Sequence, residues 1–424
     1  MLTSICGINW GDEGKGRMVD LLSDDYDIVC RYQGGNNAGH TVINERGKFI
    51  LNLLPSGILR ENVVNVLGLG MVVDIKHLTE EIARLREQGI RISPENLKIS
   101  DRAVITMPYH VLLDCLEEER LADKKFGSTR RGIAPAYADR YMKKSFRMGE
   151  LLSPETLYSH VKDIVEWKNL TVKGGYKHAP VSTEEIIEYF KTYGEPLKDY
   201  ICDTGVYLNE ANKAGKNIMF EAQLGALRDI DYGILPYTSS SSTIAAYAPI
   251  GAGVPNLKLD RSIGIMKAYS TCVGEGPFTA EYFGEKAEAL RKAGGEYGAA
   301  TGRPRRVGPF DVVASRYGIR CQGADEIALT KLDILSEYEE IEICTAYELD
   351  GKRISEFPYP NVLDRCKPVF EKVKGWHCDI SACRKPTDLP KEALDYIRLI
   401  EKLCECKITY VSVGAEREAY VKLS

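Results

Sequence analysis

The run Thr3-Ser4-Ile5-Cys6-Gly7-Ile8 leads straight into Asn9-Trp10-Gly11-Asp12-Glu13-Gly14-Lys15-Gly16, and an amphipathic pattern begins near Arg17. An apolar strand, a glycine-rich turn and a helix in that order open an α/β domain with a largely parallel sheet. Glycines at 11, 14 and 16 let backbone N–H groups approach an anion, the helix start adds positive dipole, and Lys15 adds a point charge. The stretch is not a Walker A loop, because the GxxxxGK[ST] spacing and the hydroxyl residue after the lysine are absent. A bare glycine turn would carry little weight. Asp12 distinguishes this one, since a carboxylate among backbone donors can bind magnesium through oxygen or remove a proton.

Working outward, further strands are expected at Asp27 to Tyr32, Val63 to Leu67, Leu97 to Ser100, Asn217 to Phe220, Ser262 to Ala268, Glu326 to Leu329 and Ile408 to Val413. Amphipathic helices are expected at Ile75 to Gln88 and Pro390 to Cys404. Residues from about 101 to 215 are mainly helical in pattern and read as an insertion on the sheet. The expected fold is therefore one large α/β domain over 1–424 on a central, mostly parallel sheet, with ligand loops at the carboxyl ends of the strands.

The chain has 424 residues, 44% hydrophobic and 28% charged, which are globular proportions. Its 56 Lys and Arg against 61 Asp and Glu leave a net charge of -5, so neither nucleic acid nor an anionic membrane is the expected partner, and any anion site must be local. Twelve scattered cysteines with no CxxC pair read as reduced thiols rather than a disulfide framework or zinc site. No secretory signal pattern or apolar run of roughly 18 residues occurs, and the expected location is the cytoplasm.

Three other loops carry chemistry. Gln33-Gly34-Gly35-Asn36-Asn37-Ala38-Gly39-His40-Thr41 follows the second strand and ends in an imidazole suited to an electrophilic or acid role beside phosphate. Thr330-Lys331-Leu332-Asp333 ends a strand with a carboxylate able to accept from N1 and the 2-amino group of guanine while the lysine stem covers the ring. Gly298-Ala299-Ala300-Thr301-Gly302-Arg303-Pro304-Arg305-Arg306 presents guanidinium forks suited to carboxylates of a dicarboxylate substrate.

Together with Pro55-Ser56-Gly57-Ile58-Leu59, these blocks stand in the order and relative spacing of adenylosuccinate synthetases, and the whole chain resembles that family. The resemblance implies GTP-dependent ligation of L-aspartate to IMP through a 6-phosphoryl intermediate, with one Mg2+ per subunit, in a homodimer. It implies catalytic roles for Asp12, His40, Lys15 and Gln223: Asp12 takes the N1 proton, His40 donates to the migrating phosphoryl group and Lys15 holds phosphate. Asp12 and the Gly39 carbonyl would ligate magnesium. The GTP site would use Gly11 to Arg17 (with Glu13, Gly14 and Gly16), then Gly39, His40, Thr41, Arg305, Lys331, Leu332 and Asp333, closed by Ser412, Val413 and Gly414. IMP would meet Asp12, Asn37, Ala38, Thr129, Gln223, Leu224, Thr238, Ser239, Val273 and Arg303, with Lys143 reaching across the dimer. Aspartate would sit on Ala299, Ala300, Thr301, Gly302, Arg303 and Arg305.

Departures from the family pattern cluster on the acceptor side. Where the family reads FEGAQG the chain reads Phe220-Glu221-Ala222-Gln223-Leu224-Gly225, so the glutamine comes one position early, and a local bulge would be needed to restore it. The Thr-Ser-Ser-Asn run becomes Thr238-Ser239-Ser240-Ser241-Ser242, Arg130 takes a glycine position, Lys143 replaces an arginine and Cys272 replaces another. Pro277-Phe278-Thr279-Ala280-Glu281 departs from PFPTE. Three readings follow: an ordinary but diverged enzyme, which Asp12 and His40 favour; a paralogue acting on a modified purine nucleotide; and a GTP-binding regulatory protein without turnover.

Overall fold

In the computed structural model, which describes residues 1–44, 47–298, 302 and 304–423, the strand Leu2–Gly7 lies near the centre of a ten-stranded sheet. On one side follow Ile218–Gly225, Ile28–Arg31, Val64–Leu67, Leu97–Ser100 and Ile201–Cys202; on the other follow Arg261–Lys267, Glu326–Thr330, Lys407–Ser412 and Tyr420–Lys422. Every neighbouring pair is parallel except the last, Lys407–Ser412 with Tyr420–Lys422. The parallel strands therefore release their carboxyl-terminal loops along one edge, where ligands bind in such sheets.

Strands alternate their side chains between two faces. Cys6, Cys30 and Phe220 join one buried cluster, while their neighbours Ile5, Val29 and Met219 join the opposite one. Both faces are covered, so the strands read as nearly continuous apolar runs. The segment from 101 to 215 contains the helices Pro108–Leu121, Ile133–Met142, Pro154–Asn169, Thr183–Gly194 and Thr204–Lys213. It also contributes Ile201–Cys202 to the sheet edge, so it is not wholly separate from the strand series.

Three features differ from expectation. The strand near 217 runs on to Gly225, with a register shift against Leu2–Gly7 between Ile5 and Gly7. His40 and Thr41 do not end a loop but begin the hairpin strand His40–Asn44, paired with Gly47–Leu51. A second sheet pairs Glu340–Leu349 with Phe310–Asp311, Lys352–Ile354 and Lys367–Lys374. Its mixed polar and apolar strands gave weak signals because one side faces solvent.

Candidate active site

The loop after Leu2–Gly7 turns through Gly11 (φ 96°), Asp12 (φ 64°) and Gly14 (φ 97°) before the helix Lys15–Leu22 begins. Left-handed backbone at Gly11 and Gly14 costs little without a Cβ. Inside the turn sits Glu13. Its Oε1 accepts from the backbone N–H groups of Asn9 (3.1 Å) and Gly11 (2.7 Å), and its Oε2 meets Lys15 Nζ at 2.6 Å. The carboxylate expected among backbone donors was Asp12; the structure gives that place to Glu13. A Cβ on Gly7 or Gly225 would stand 2.6 Å from a Glu13 oxygen, so those glycines admit it. Lys15, expected to hold phosphate, is 3% exposed and paired with Glu13.

Asp12 instead points outward, a third exposed, with Oδ2 2.5 Å from Arg305 Nη2. Arg305 Nη1 lies 2.7 Å from Glu296 Oε2. Glu296, a residue the sequence reading passed over, is fully buried and also receives Lys267 Nζ (2.9 Å), Lys331 Nζ (2.8 Å) and the Tyr269 hydroxyl (2.5 Å). Burial alone favours its neutral acid, but Lys267 and Lys331 outweigh that and hold the carboxyl far below the usual range. The Lys331 amine is turned to Glu296 and the Gly294 carbonyl. The charges of Lys15, Arg305 and Lys331 are compensated locally by Glu13, Glu296 and Asp12.

His40 Nδ1 lies 2.6 Å from Glu221 Oε1. Glu221 stands in the apolar run of the Ile218–Gly225 strand, where a buried charge was the one available signal of function. Burial works against its ionisation, but His40, Arg31 and the Ser56 N–H together keep it below the usual carboxylate range. An ionised carboxylate only accepts, so the proton sits on Nδ1 and Nε2 is the free ring nitrogen. Burial, opposed by Glu221, lowers the His40 pKa.

The Thr330-Lys331-Leu332-Asp333 turn lies beside the first glycine-rich loop. Asp333 is partly buried, its Oδ1 is buried without a partner, and burial raises its pKa. Thr330 Oγ1 donates to the Glu13 carbonyl at 2.6 Å, which ties this turn to the first loop. Arg17 does not stand open to phosphate; its guanidinium reaches Ser412 Oγ (2.5 Å) and the carbonyls of Gly414, Glu416 and Ala419, fixing the loop that includes Val413.

On the acceptor side, Gln223 departs from its expected role. It is fully buried: Nε2 donates to the Gly35 carbonyl at 2.6 Å, and Oε1 accepts from the Gly35 N–H at 3.3 Å. The bulge is present, but a residue-by-residue alternation sends Gln223 inward and leaves Leu224 (φ 61°) partly exposed. Asn37 accepts from the Gly35 N–H at 3.2 Å, and the Ala38 carbonyl accepts from Asn52 at 3.2 Å. Ser239 shares a 2.9 Å hydroxyl contact with Ser241, while Thr238 is partly buried and Val273 is exposed. Thr129 is exposed on a loop held from the helix Pro108–Leu121: Asp114 accepts from Ser128 Oγ (2.6 Å) and the Gly132 N–H (2.8 Å), and Glu118 from the Phe126 and Gly127 N–H groups. Neither acid was foreseen. Arg306 is spent on Glu281 and the Gly276 carbonyl rather than on a ligand. Ala299, Ala300, Thr301 and Arg303 lie outside the described residues; Gly302 is exposed with φ 65°.

Adenylosuccinate synthetases of Nostoc punctiforme and a second Nostoc species are each 43% identical over 415 residues, 98% of this chain and 92% of theirs. The fully ligated adenylosuccinate synthetase of Plasmodium falciparum superposes with a TM-score of 0.93 at 34% identity, covering 100% of this chain and 99% of that one. A cyanophage S-2L succinoaminodeoxyadenylate synthetase, bound to dGMP and dATP, shares the fold at TM-score 0.61 and 18% identity, covering 99% of this chain and 95% of its own. The family profile of adenylosuccinate synthetase matches residues 4–421, and the chain belongs to that family.

Proposed function

We propose that the chain joins L-aspartate to IMP with hydrolysis of GTP, and that Asp12 and His40 carry the chemistry. The observation that supports this most is the 2.6 Å His40–Glu221 pair at the edge that also bears the Asp12 loop. The C6 oxygen of a purine lactam leaves poorly; phosphorylation turns it into a leaving group that an amine can displace. In this reading Asp12 takes the N1 proton as the phosphoryl group arrives. His40 must then donate from Nε2, which requires the imidazolium; Glu221 stabilises that cation and the anionic phosphoryl group favours it.

Asp12 also suits magnesium. Its carboxylate is a third exposed, and among the described residues no cluster of three acidic, histidine or cysteine side chains forms an all-protein cage. One carboxylate with a carbonyl such as that of Gly39 matches an ion shared with substrate phosphates. When bound, the ion supplies neutralisation of phosphate charge. Asp333 reads guanine through its unpartnered Oδ1, flanked by Lys331, Leu332 and the Ser412–Gly414 loop. Lys15 serves phosphate only by leaving Glu13. Gly302, Arg305 and their neighbours 299–301 and 303 take the aspartate carboxylates.

The acceptor is bound through Asn37, Ala38, Thr129, Thr238, Ser239, Leu224 and Val273. Lys143 (φ 62°) follows the exposed Tyr141 and Met142 at the end of the helix Ile133–Met142. An exposed apolar pair beside a cation supports a homodimer contact in which Lys143 reaches the partner's acceptor phosphate. We take residues 1–424 as one domain and the cytoplasm as its location; among the described residues no helix is long and apolar enough to cross a membrane.

The test is formation of adenylosuccinate, GDP and phosphate from IMP, aspartate, GTP and Mg2+ by the purified chain. Product only with another purine monophosphate would move the reading to a paralogue, an outcome the inward turn of Gln223 makes worth screening. GTP binding with no product from any purine would favour a regulatory protein.

A further inference from the structure

Arg228 follows the bulged end of the Ile218–Gly225 strand and is 8% exposed. Its guanidinium meets no carboxylate among the described residues. Nη1 donates to the carbonyl of Tyr237, and Nη2 lies 3.1 Å from Cys272 Sγ and 2.5 Å from the Val273 carbonyl. Both nitrogens stand 3.4 Å from the Glu275 carbonyl. The Arg228 carbonyl accepts from the Ser239 N–H at 2.8 Å. One residue thus ties the segment 237–239 to the turn 272–275. The 127–132 loop rests on the same turn, since a Cβ on Gly127 would lie 3.3 Å from Glu275 Cγ. Thr129, Ser239 and Val273 therefore share one fixed point.

A buried guanidinium spent on neutral oxygens and a thiol is expensive to desolvate. Its presence needs a reason beyond filling space. Cys272, buried at the start of the 272–275 turn, supplies that thiol. The Arg228 head group occupies the space directly beside that cysteine. We propose that Arg228 is the positioning residue of the acceptor site, its guanidinium and carbonyl fixing together the segments 237–239 and 272–275 that carry Thr238, Ser239 and Val273. The proposal rests on the acceptor assignment above.

The experiment uses the full chain and steady-state kinetics with IMP, GTP and aspartate varied in turn. Arg228→Leu should raise KM for IMP about tenfold or more, with KM for GTP and aspartate changed less than about twofold. Equal change in all three KM values, or an unchanged KM for IMP, would overturn the proposal. If Arg228→Leu does not fold, Arg228→Lys decides: it keeps charge and loses the fork, so KM for IMP alone should rise, and a uniform change would count against the idea. Failure of the parent chain to use IMP would reject the acceptor assignment itself, a result separable from any of these.

Discussion

Asp12 Oδ2 lies 2.5 Å from Arg305 Nη2, so the carboxylate assigned as base is held by a guanidinium whose other terminal nitrogen is fixed by buried Glu296. Without substrate the charge of Asp12 is answered from within the protein. In the reading proposed above, substrate anions compete for Arg305 and so release this carboxylate to act.

Asp12→Asn keeps the size of the side chain and removes its capacity as a base. Turnover should fall by about 10²-fold or more, while GTP binding, followed by calorimetry, remains measurable. Parental kcat in this variant would remove Asp12 from the chemistry.

Glu296→Gln leaves buried Lys267 and partly buried Arg305 and Lys331 without their shared carboxylate. Breaking such a group by removing one partner costs about 3–5 kcal/mol. Urea unfolding should show this as a lower midpoint at unchanged slope. A loss below about 0.5 kcal/mol, within the usual surface range, would show that the three cations find other partners.

Glu221→Gln removes the charge that stabilises the His40 imidazolium and offers Nδ1 an amide that can turn its NH2 as well as its oxygen inward, so kcat should fall by about 10²- to 10⁴-fold. The pH dependence of stability follows from the direction of the shifts. Burial lowers the pKa of His40 and of His110, which sits 2.8 Å from Asp139, below the ordinary 6.5. The unfolded chain then binds protons more readily than the folded one. Stability from these groups is present above about pH 6.5 and is lost as pH falls through their folded values. Denaturant midpoints at pH 7.5 and 5.5 should differ in that sense; a higher midpoint at pH 5.5 would contradict it.

Asp333→Asn replaces an acceptor with a mixed donor and acceptor at a buried, unpartnered oxygen. A hydrogen bond to a charged group is worth about 1.5–3 kcal/mol, so KM for GTP should rise by roughly ten- to a hundredfold, with little change for IMP. Equal shifts for both nucleotides would assign Asp333 to general structure.

The central architecture was legible because the strands are buried on both faces. Val63 to Leu67, Leu97 to Ser100 and Ser262 to Ala268 read as short apolar runs and fold as strands within one residue of their expected ends. Ile201–Cys202 and Tyr420–Lys422 are edge pieces too short to show a period. The glycine loops were legible for a similar local reason, since a turn's backbone demands are written in adjacent residues. Asp12, His40 and Asp333 could thus be named before any tertiary contact was known.

Their partners could not. Glu221 meets His40 across 181 positions, and Cys272 meets Arg228 across 44. Glu13 and Asp12 are neighbours of the same charge, yet one is buried on backbone N–H groups while the other faces Arg305. Gln223 and Leu224 differ by one step along a bulged strand, enough to send one side chain into the fold and leave the other at the surface. The amino-acid order determined where strands and turns form, through local periodicity and backbone freedom. Which charges meet, and which face an ambiguous residue takes, was decided by packing, because burial and pairing energies depend on groups brought together only when the whole sheet closes.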